Sequence, residues 1–359
     1  MISPGNRIRV LVVDDSVVIR RLVTHALEQE PSLEVVGFAS NGSIALGRIP
    51  QLNPDVVTLD IEMPEMDGLE TLRRLRVEYP LIRVVMFSTL TGRGASITLQ
   101  ALALGADDYV TKASNAGSLD RSMASLRAEL IPKIKQFFLL PGETPEVAQP
   151  AVAPAQTAVK APVRLPARGR KVLVIGVSTG GPNALSTIIP LFPPDFPLPI
   201  LIVQHMPPLF TRLLAERLQA ITSLRVEEAA EGSPVTPGKV LIAPGDYHMQ
   251  VRNGGDPAVV ALDQSPPENS CRPAVDVLFR SVAQAYGGAV ISAVLTGMGQ
   301  DGLRGVEALK ARGAYVIAQD ESSSVVWGMP GAVVAVGLAD CVAPLETVVP
   351  EILKQIGRG

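Results

Sequence analysis

The chain is poor in several residue types, and each shortage excludes something. Only two cysteines, Cys271 and Cys341, occur in 359 residues. Two cysteines make neither a disulfide framework nor a four-ligand zinc site, which fits a reducing compartment. Aromatic residues make up 4%, the net charge is -3, and no basic stripe is present, so nucleic-acid binding is not expected. No apolar stretch reaches the roughly 18–20 residues of a membrane helix, so membrane insertion is not expected. The opening MISPGNRIRV has no apolar run of signal-peptide length. A cytoplasmic protein, and a monomer, is the expectation.

What is present is ordered α/β sequence, 47% hydrophobic and 19% charged. The length favours two domains. Through the first 130 residues short apolar runs alternate with amphipathic segments. The runs are RVLVVD (9–14), LEVVGFA (33–39), VVTLD (56–60), RVVMFS (83–88) and DYVT (108–111), and 17–29 and 68–78 carry helical periodicity. Continuous apolar strands alternating with helices predict a parallel sheet covered on both faces, a flavodoxin-like unit of five strands. The following Pro- and Ala-rich stretch, clearest over 141–168, reads as a semi-extended linker. The predicted organisation is a first domain over 1–130, a linker over 131–168 and a second domain over 169–359. The second is a doubly wound, mostly parallel α/β domain with an antiparallel hairpin around VLIAPGDYHMQV…AVVALD.

In the first domain Asp14 and Asp15 end one strand and Asp60 ends its expected neighbour. Three converging carboxylates repel one another, and a hard divalent cation such as Mg²⁺ relieves the conflict. One carboxylate can also attack a phosphoryl group. Ser88 and Lys112, at the next strand ends, supply a hydroxyl and a point charge for phosphoryl oxygens. One strand-end aspartate is ordinarily a helix cap; three with a lysine and a serine are not.

The segments VVDDS, VTLDIEMPEMDG, VVMFSTLTG and GADDYVTK closely resemble the receiver domain of two-component response regulators, over about residues 7–130. The resemblance implies Asp60 as phospho-acceptor, Asp15 and Asp60 as Mg²⁺ ligands assisted by Asp14 and the Glu62 carbonyl, Ser88 and Tyr109 as a switch pair, and Lys112 against the phosphoryl group. One position departs: Ala113 stands where receivers usually carry proline.

In the second domain KVLVIGV runs into Ser178, flanked by Gly176, Gly180 and Gly181. Such a loop suits an anion, a nucleotide phosphate or an oxyanion. GVSTGG is neither the dinucleotide fingerprint nor the GxSxG elbow, so alone it leaves phosphate loop and nucleophile open. Of the three histidines, His25 lies in an amphipathic helix and His248 in the expected hairpin. His205 ends the strand PILIVQ at the same sheet edge as Ser178, where a general base belongs. Asp301, at a further strand end, either caps the next helix or orients the imidazole; its neighbours favour the latter.

The set GVSTGGP, VQHMP, APGDYHM, SCRPAVDVLF, LTGMGQDG and QDESSSVVWGMP resembles the catalytic domain of the CheB family of chemotaxis protein-glutamate methylesterases, over about 170–356. The resemblance implies a Ser178–His205–Asp301 triad, with the amides of Thr179 and Met298 as oxyanion donors and Arg272 either positioning receptor helices or forming a structural salt bridge. It implies hydrolysis of glutamate methyl esters on chemotaxis receptors, deamidation of receptor glutamines, no cofactor for the esterase step, and activation by phosphoryl transfer from the histidine kinase CheA. A DNA-binding output domain would require a basic helix-turn-helix, which is not found. A nucleotide-binding one leaves His205 and Asp301 without a role.

Overall fold

The computed structural model describes residues 7–112, 119–138, 171–252, 255 and 257–357. They form two compact units, divided between Glu143 and Thr144.

The first unit alternates β1 (Ile8–Val13), α1 (Val17–Glu28), β2 (Leu33–Ala39), α2 (Gly42–Leu52), β3 (Val56–Asp60), α3 (Gly68–Glu78), β4 (Arg83–Ser88), α4 (Gly92–Ala103), β5 (Asp108–Thr111) and α5 (Leu119–Lys135). The five strands are parallel in the order β2-β1-β3-β4-β5, the predicted flavodoxin-like arrangement. Side-chain caps set the turns after the strands: Ser16, Asn41, Asp67 and Thr91 each accept a hydrogen bond from a backbone amide of the helix that follows. Helix α5 continues past residue 130, where the linker was expected to begin. Its Ile131 and Ile134 join Val10, Val12, Leu27, Val85 and Val110 in one buried cluster. Ala113 and residues 139–168 lie outside the described residues.

A close backbone approach fixes Asp60. Gly68 donates its amide to the Ile61 carbonyl at 2.9 Å, and a Cβ there would lie 2.2 Å from the Asp60 carbonyl oxygen and 2.9 Å from Ile61 Cα. Backbone cannot yield as a side-chain tip can. Gly68→Ala is therefore expected to cost about 1–3 kcal/mol, read as an earlier unfolding transition of this unit. An unchanged transition would show the approach to be looser than it is drawn.

The second unit contains β6 (Val172–Val177), α6 (Gly181–Ile188), β7 (Ile200–Gln204), α7 (Phe210–Gln219), β8 (Arg225–Glu228), β9 (Lys239–Ile242), β10 (His248–Arg252), β11 (Val259–Asp263), α8 (Val275–Tyr286), β12 (Val290–Val294), α9 (Leu303–Lys310), β13 (Tyr315–Gln319), α10 (Gly328–Ala335), β14 (Cys341–Ala343) and α11 (Leu345–Ile356). Seven strands run parallel in the order β14-β13-β12-β6-β7-β9-β8. All residues of β6, β7 and β12 are buried, as expected of central strands covered on both faces. The antiparallel hairpin pairs β10 with β11 and is tied to α8 by the Val251 amide on Ser281 Oγ at 3.1 Å. VLIA itself enters the parallel sheet as β9.

The chain leaves β6 toward β7 on one side and returns through β12 on the other. The switch point of strand order thus lies between β6 and β12, where open α/β sheets bind ligands at the carboxyl ends. Among the described residues no helix is long and apolar enough to cross a membrane.

Candidate functional site

Two sites form at strand ends, one in each unit. In the first, Asp14 and Asp15 follow β1, Asp60 closes β3 and Lys112 follows β5. Carboxylate oxygens of Asp14, Asp15 and Asp60 lie within 4.8 Å of one another. Lys112 Nζ sits 2.8 Å from Asp60 Oδ2 and 2.9 Å from Asp14 Oδ2. Asp14 Oδ1 accepts the Ser16 amide at 2.9 Å, and Asp60 Oδ1 the Ile61 amide at 2.7 Å. Asp14 Oδ2 is buried, and its close polar partner is the Lys112 ammonium. Burial, reinforced by the Asp14 charge and opposed by Lys112, pushes the Asp60 carboxyl up to about 6. A cavity of about 280 Å³ opens over these groups, lined by Asp15, Asp60, Glu62, Thr89 and Lys112 among others.

The two expected switch residues are placed away from this cavity's lining. Ser88 is buried; its Oγ accepts from Thr98 Oγ1 at 2.6 Å and lies 3.3 Å from the Gly94 carbonyl of α4. The β4-end residue that lines the cavity is Thr89, which the sequence did not single out. Tyr109 is buried, with Lys133 Nζ 4.8 Å from its ring centroid. Burial, with the nearby Asp108 charge, holds its hydroxyl well above the ordinary range.

In the second unit the β6 strand delivers Ser178 to the switch point. Its amide donates to the Thr296 carbonyl at 3.0 Å, and its own carbonyl accepts the Gly181 amide at 2.8 Å. Gly180 turns the chain at φ 78° into α6, a conformation that costs glycine little. His205 follows β7. Asp301 lies in the turn before α9.

His205 Nε2 and Asp301 Oδ2 are 2.8 Å apart. The carboxylate is held by more than the histidine. Oδ2 also accepts the Val275 amide at 2.7 Å, while Oδ1 accepts Asn269 Nδ2 at 2.8 Å and the Asp276 and Gly302 amides at 3.0 Å. Against the penalty of burial, His205 and the Val275 and Asp276 amides keep Asp301 below the usual carboxylate range. Burial disfavours the His205 imidazolium, but Cys271 and Asp301 outweigh it and hold His205 well above the ordinary histidine value.

The serine stands apart from this pair. Among the described residues Ser178 Oγ makes no hydrogen bond, and the nitrogen left to His205, Nδ1, faces Cys271 Sγ at 3.5 Å. The expected serine–histidine hydrogen bond is therefore not formed in this conformation. What ties the two loops is a residue missed by sequence reasoning, Gln204. It is the polar residue that closes the apolar strand β7, and its Nε2 donates to the Ser178 carbonyl at 3.0 Å and the His205 carbonyl at 3.2 Å.

The remaining expected residues divide. Thr179 is buried, its carbonyl accepting from Thr296 Oγ1 at 2.9 Å. Met298 follows Gly297, where a Cβ would lie 2.8 Å from Ser178 Cβ, so both oxyanion candidates flank the serine. Arg272 is committed internally: Nε and Nη2 reach Asp246 Oδ1 at 3.0 and 2.5 Å, and Nη1 reaches the Gln264 and Ser265 carbonyls at 3.0 Å. Of its two expected roles, the geometry realises the salt bridge. His248 is a satisfied core histidine, fully buried, with Nδ1 accepting the Ala274 amide and Nε2 on the Pro266 carbonyl, both at 3.2 Å.

Known families match both units. Residues 173–352 match the family described as CheB methylesterase, and residues 10–124 match the response regulator receiver domain. A protein-glutamate methylesterase/protein-glutamine glutaminase of Nocardioides sp. is 53% identical over 99% of this chain and 96% of its own length. One of Trichodesmium erythraeum is 48% identical over 98% of this chain and 99% of its own. The crystal structure of the Thermotoga maritima CheB methylesterase catalytic domain superposes with a TM-score of 0.51 at 45% identity, covering 54% of this chain and all of that one. With a family match over 173–352, a receiver match ahead of it in sequence, and relatives of about half identity over nearly the whole chain, the chain belongs to the CheB methylesterase family.

Proposed function

We propose that the chain is a phosphorylation-activated hydrolase that removes methyl esters from glutamate side chains of chemotaxis receptors and deamidates receptor glutamines. The observation that carries this reading is the His205–Asp301 pair, 2.8 Å apart with its carboxylate buried, at the sheet edge where β6 presents Ser178.

The chemistry follows from the polarity of that pair. Asp301 accepts from Nε2, so the lone pair available to a substrate lies on Nδ1. The reaction needs Ser178 Oγ at that nitrogen, which Cys271 Sγ faces at 3.5 Å. His205 then takes the hydroxyl proton as Oγ attacks the γ-carbonyl, and the imidazolium is steadied by Asp301. The developing oxyanion is met by the backbone amides of Thr179 and Met298. The proton passes from Nδ1 to the leaving methoxide, which departs as methanol. Water, deprotonated by the same nitrogen, releases the glutamate carboxylate. The primary amide of glutamine follows the same path: its C–N bond breaks, and ammonia leaves with the proton from Nδ1.

Control resides in the first unit. Asp60 is the proposed phospho-acceptor, with a histidine kinase as donor; Lys112 would hold a phosphoryl oxygen, and Ser88 and Tyr109 would report the change. The all-oxygen donor set, three carboxylates with ligand atoms within 4.8 Å of one another, fits Mg²⁺. Asp14, Asp15, Asp60 and the Glu62 carbonyl would hold it, and when bound it offsets charge on the carboxylates and the phosphoryl oxygens.

Asp60→Asn is expected to make hydrolysis independent of a phosphodonor, so that rates with and without acetyl phosphate coincide. It has a second signature. The folded carboxyl titrates near 6, above about 3.9 in an unfolded chain. Protonation therefore favours the folded state, and the ionised group destabilises it increasingly between those values and fully above them. Without metal, the variant should melt higher than the parent at pH 7, and the gap should close below about pH 4. A variant that melts lower at pH 7 would contradict the strained carboxylate.

A further inference from the structure

We propose that the turn Glu268–Cys271 is a positioning device for the hydrolytic site, with Asn269 as the residue that holds Asp301 in register. The inference rests on the Ser178–His205–Asp301 reading and deepens it.

The turn is built for the purpose. Glu268 and Cys271 exchange backbone hydrogen bonds, amide to carbonyl, at 3.1 and 2.9 Å. Between them Asn269 and Ser270 both take left-handed φ, 52° and 62°. Two consecutive left-handed residues inside such a pair make a tight turn of the primed kind, where asparagine is favoured first and serine is not. Backbone strain of this sort clusters at functional sites. The turn is fastened to α8 by a two-pronged ion pair, Arg280 Nη1 and Nη2 on the Glu268 carboxylate at 2.7 and 2.6 Å.

It delivers two side chains to the site. Cys271 Sγ reaches His205 Nδ1, the nitrogen that must serve the serine. Asn269 Nδ2 spends one N–H on Asp301 Oδ1 at 2.8 Å and the other on Asp276 Oδ2 at 3.0 Å. Asp276 is itself buried, with Oδ1 on the Gly305 amide at 2.6 Å. Two buried carboxylates thus face each other with one neutral amide between them. His205 meets Asp301, and Arg280, whose charge also acts on both acids, has its guanidinium on Glu268. Burial and then the Asp301 charge push Asp276 up to about 6, while Asp301 stays ionised. Asn269 is the donor that lets both acids share the pocket and keeps Asp301 aimed at Nε2.

Asn269→Gly and Asn269→Asp test this. Glycine keeps the left-handed turn and deletes the amide. Aspartate keeps the size and tolerates the turn but replaces two donors with a third carboxylate. With the full chain acting on methylated receptor membranes, kcat for methanol release is expected to fall about 10-fold in the glycine variant and about 100-fold in the aspartate variant, with KM unchanged. The low-field imidazole N–H proton resonance of His205 is expected to shift in both. A role confined to shaping the turn predicts near-parental kcat and an unmoved resonance in both variants, and that result overturns the proposal. If the parent chain releases no methanol, the functional reading fails, and the resonance alone decides: a shift supports the positioning role and its constancy sinks it.

Discussion

Ser178→Ala is expected to abolish ester hydrolysis, with kcat falling by about 10⁵–10⁶-fold, the scale seen when a triad nucleophile is removed. The structure explains why the loss should be chemical. Ser178 Oγ has no hydrogen bond among the described residues, so its removal orphans no partner. The backbone contacts of Ser178, to Thr296, Gly181 and Gln204, do not involve the side chain. The His205–Asp301 pair is untouched. The variant should therefore melt with the parent while releasing no methanol above the uncatalysed background. Retained hydrolysis in a folded alanine variant would remove Ser178 from the reaction.

Asp301→Asn is expected to lower kcat by about 10⁴-fold, as when the aspartate of a serine triad is neutralised. All five groups on the Asp301 carboxylate are N–H donors: His205 Nε2, Val275, Asp276, Gly302 and Asn269. An asparagine must turn its own NH₂ toward at least two of them, whichever way it rotates. Donor then meets donor in a buried site, and His205 loses the partner that fixes its tautomer. The pH profile should move as well. The base works only when unprotonated. In the parent, His205 is held well above 6.5, so the acidic limb of kcat/KM lies above that value. Without the Asp301 charge, burial weighs more heavily and the limb shifts to lower pH. An unshifted limb with near-parental kcat would leave Asp301 as a helix cap only.

Much of this was legible before any coordinates. The central strands are covered on both faces, so they read as unbroken apolar runs, and the residues that matter stand where those runs stop: Asp14, Asp60, Ser178 and His205. Edges and uniformly apolar helices read poorly. Strand β8 is RVEE, with Val226 its one buried residue, β14 has three residues, and α10 is apolar on every side and so lacks an amphipathic stripe. Helix α5 outran its expected end because Ile131 and Ile134 are core positions. Orientation was also hidden. Nothing local says that Ser88 turns to Thr98, that Arg272 is used up by Asp246, or that His248 is satisfied in the core. Asn269, Cys271 and Gln204 gain their roles only from contacts made across the fold. Cys271 meets His205 across 66 residues and Asn269 meets Asp301 across 32.

Methanol release from methylated receptor membranes by the full chain, with and without Mg²⁺ and acetyl phosphate, tests most directly whether the receiver governs the hydrolase. Receiver-controlled hydrolysis predicts a measurable basal rate that rises when both are added. No release at all, or a rate indifferent to the phosphodonor in the parent chain, would contradict it.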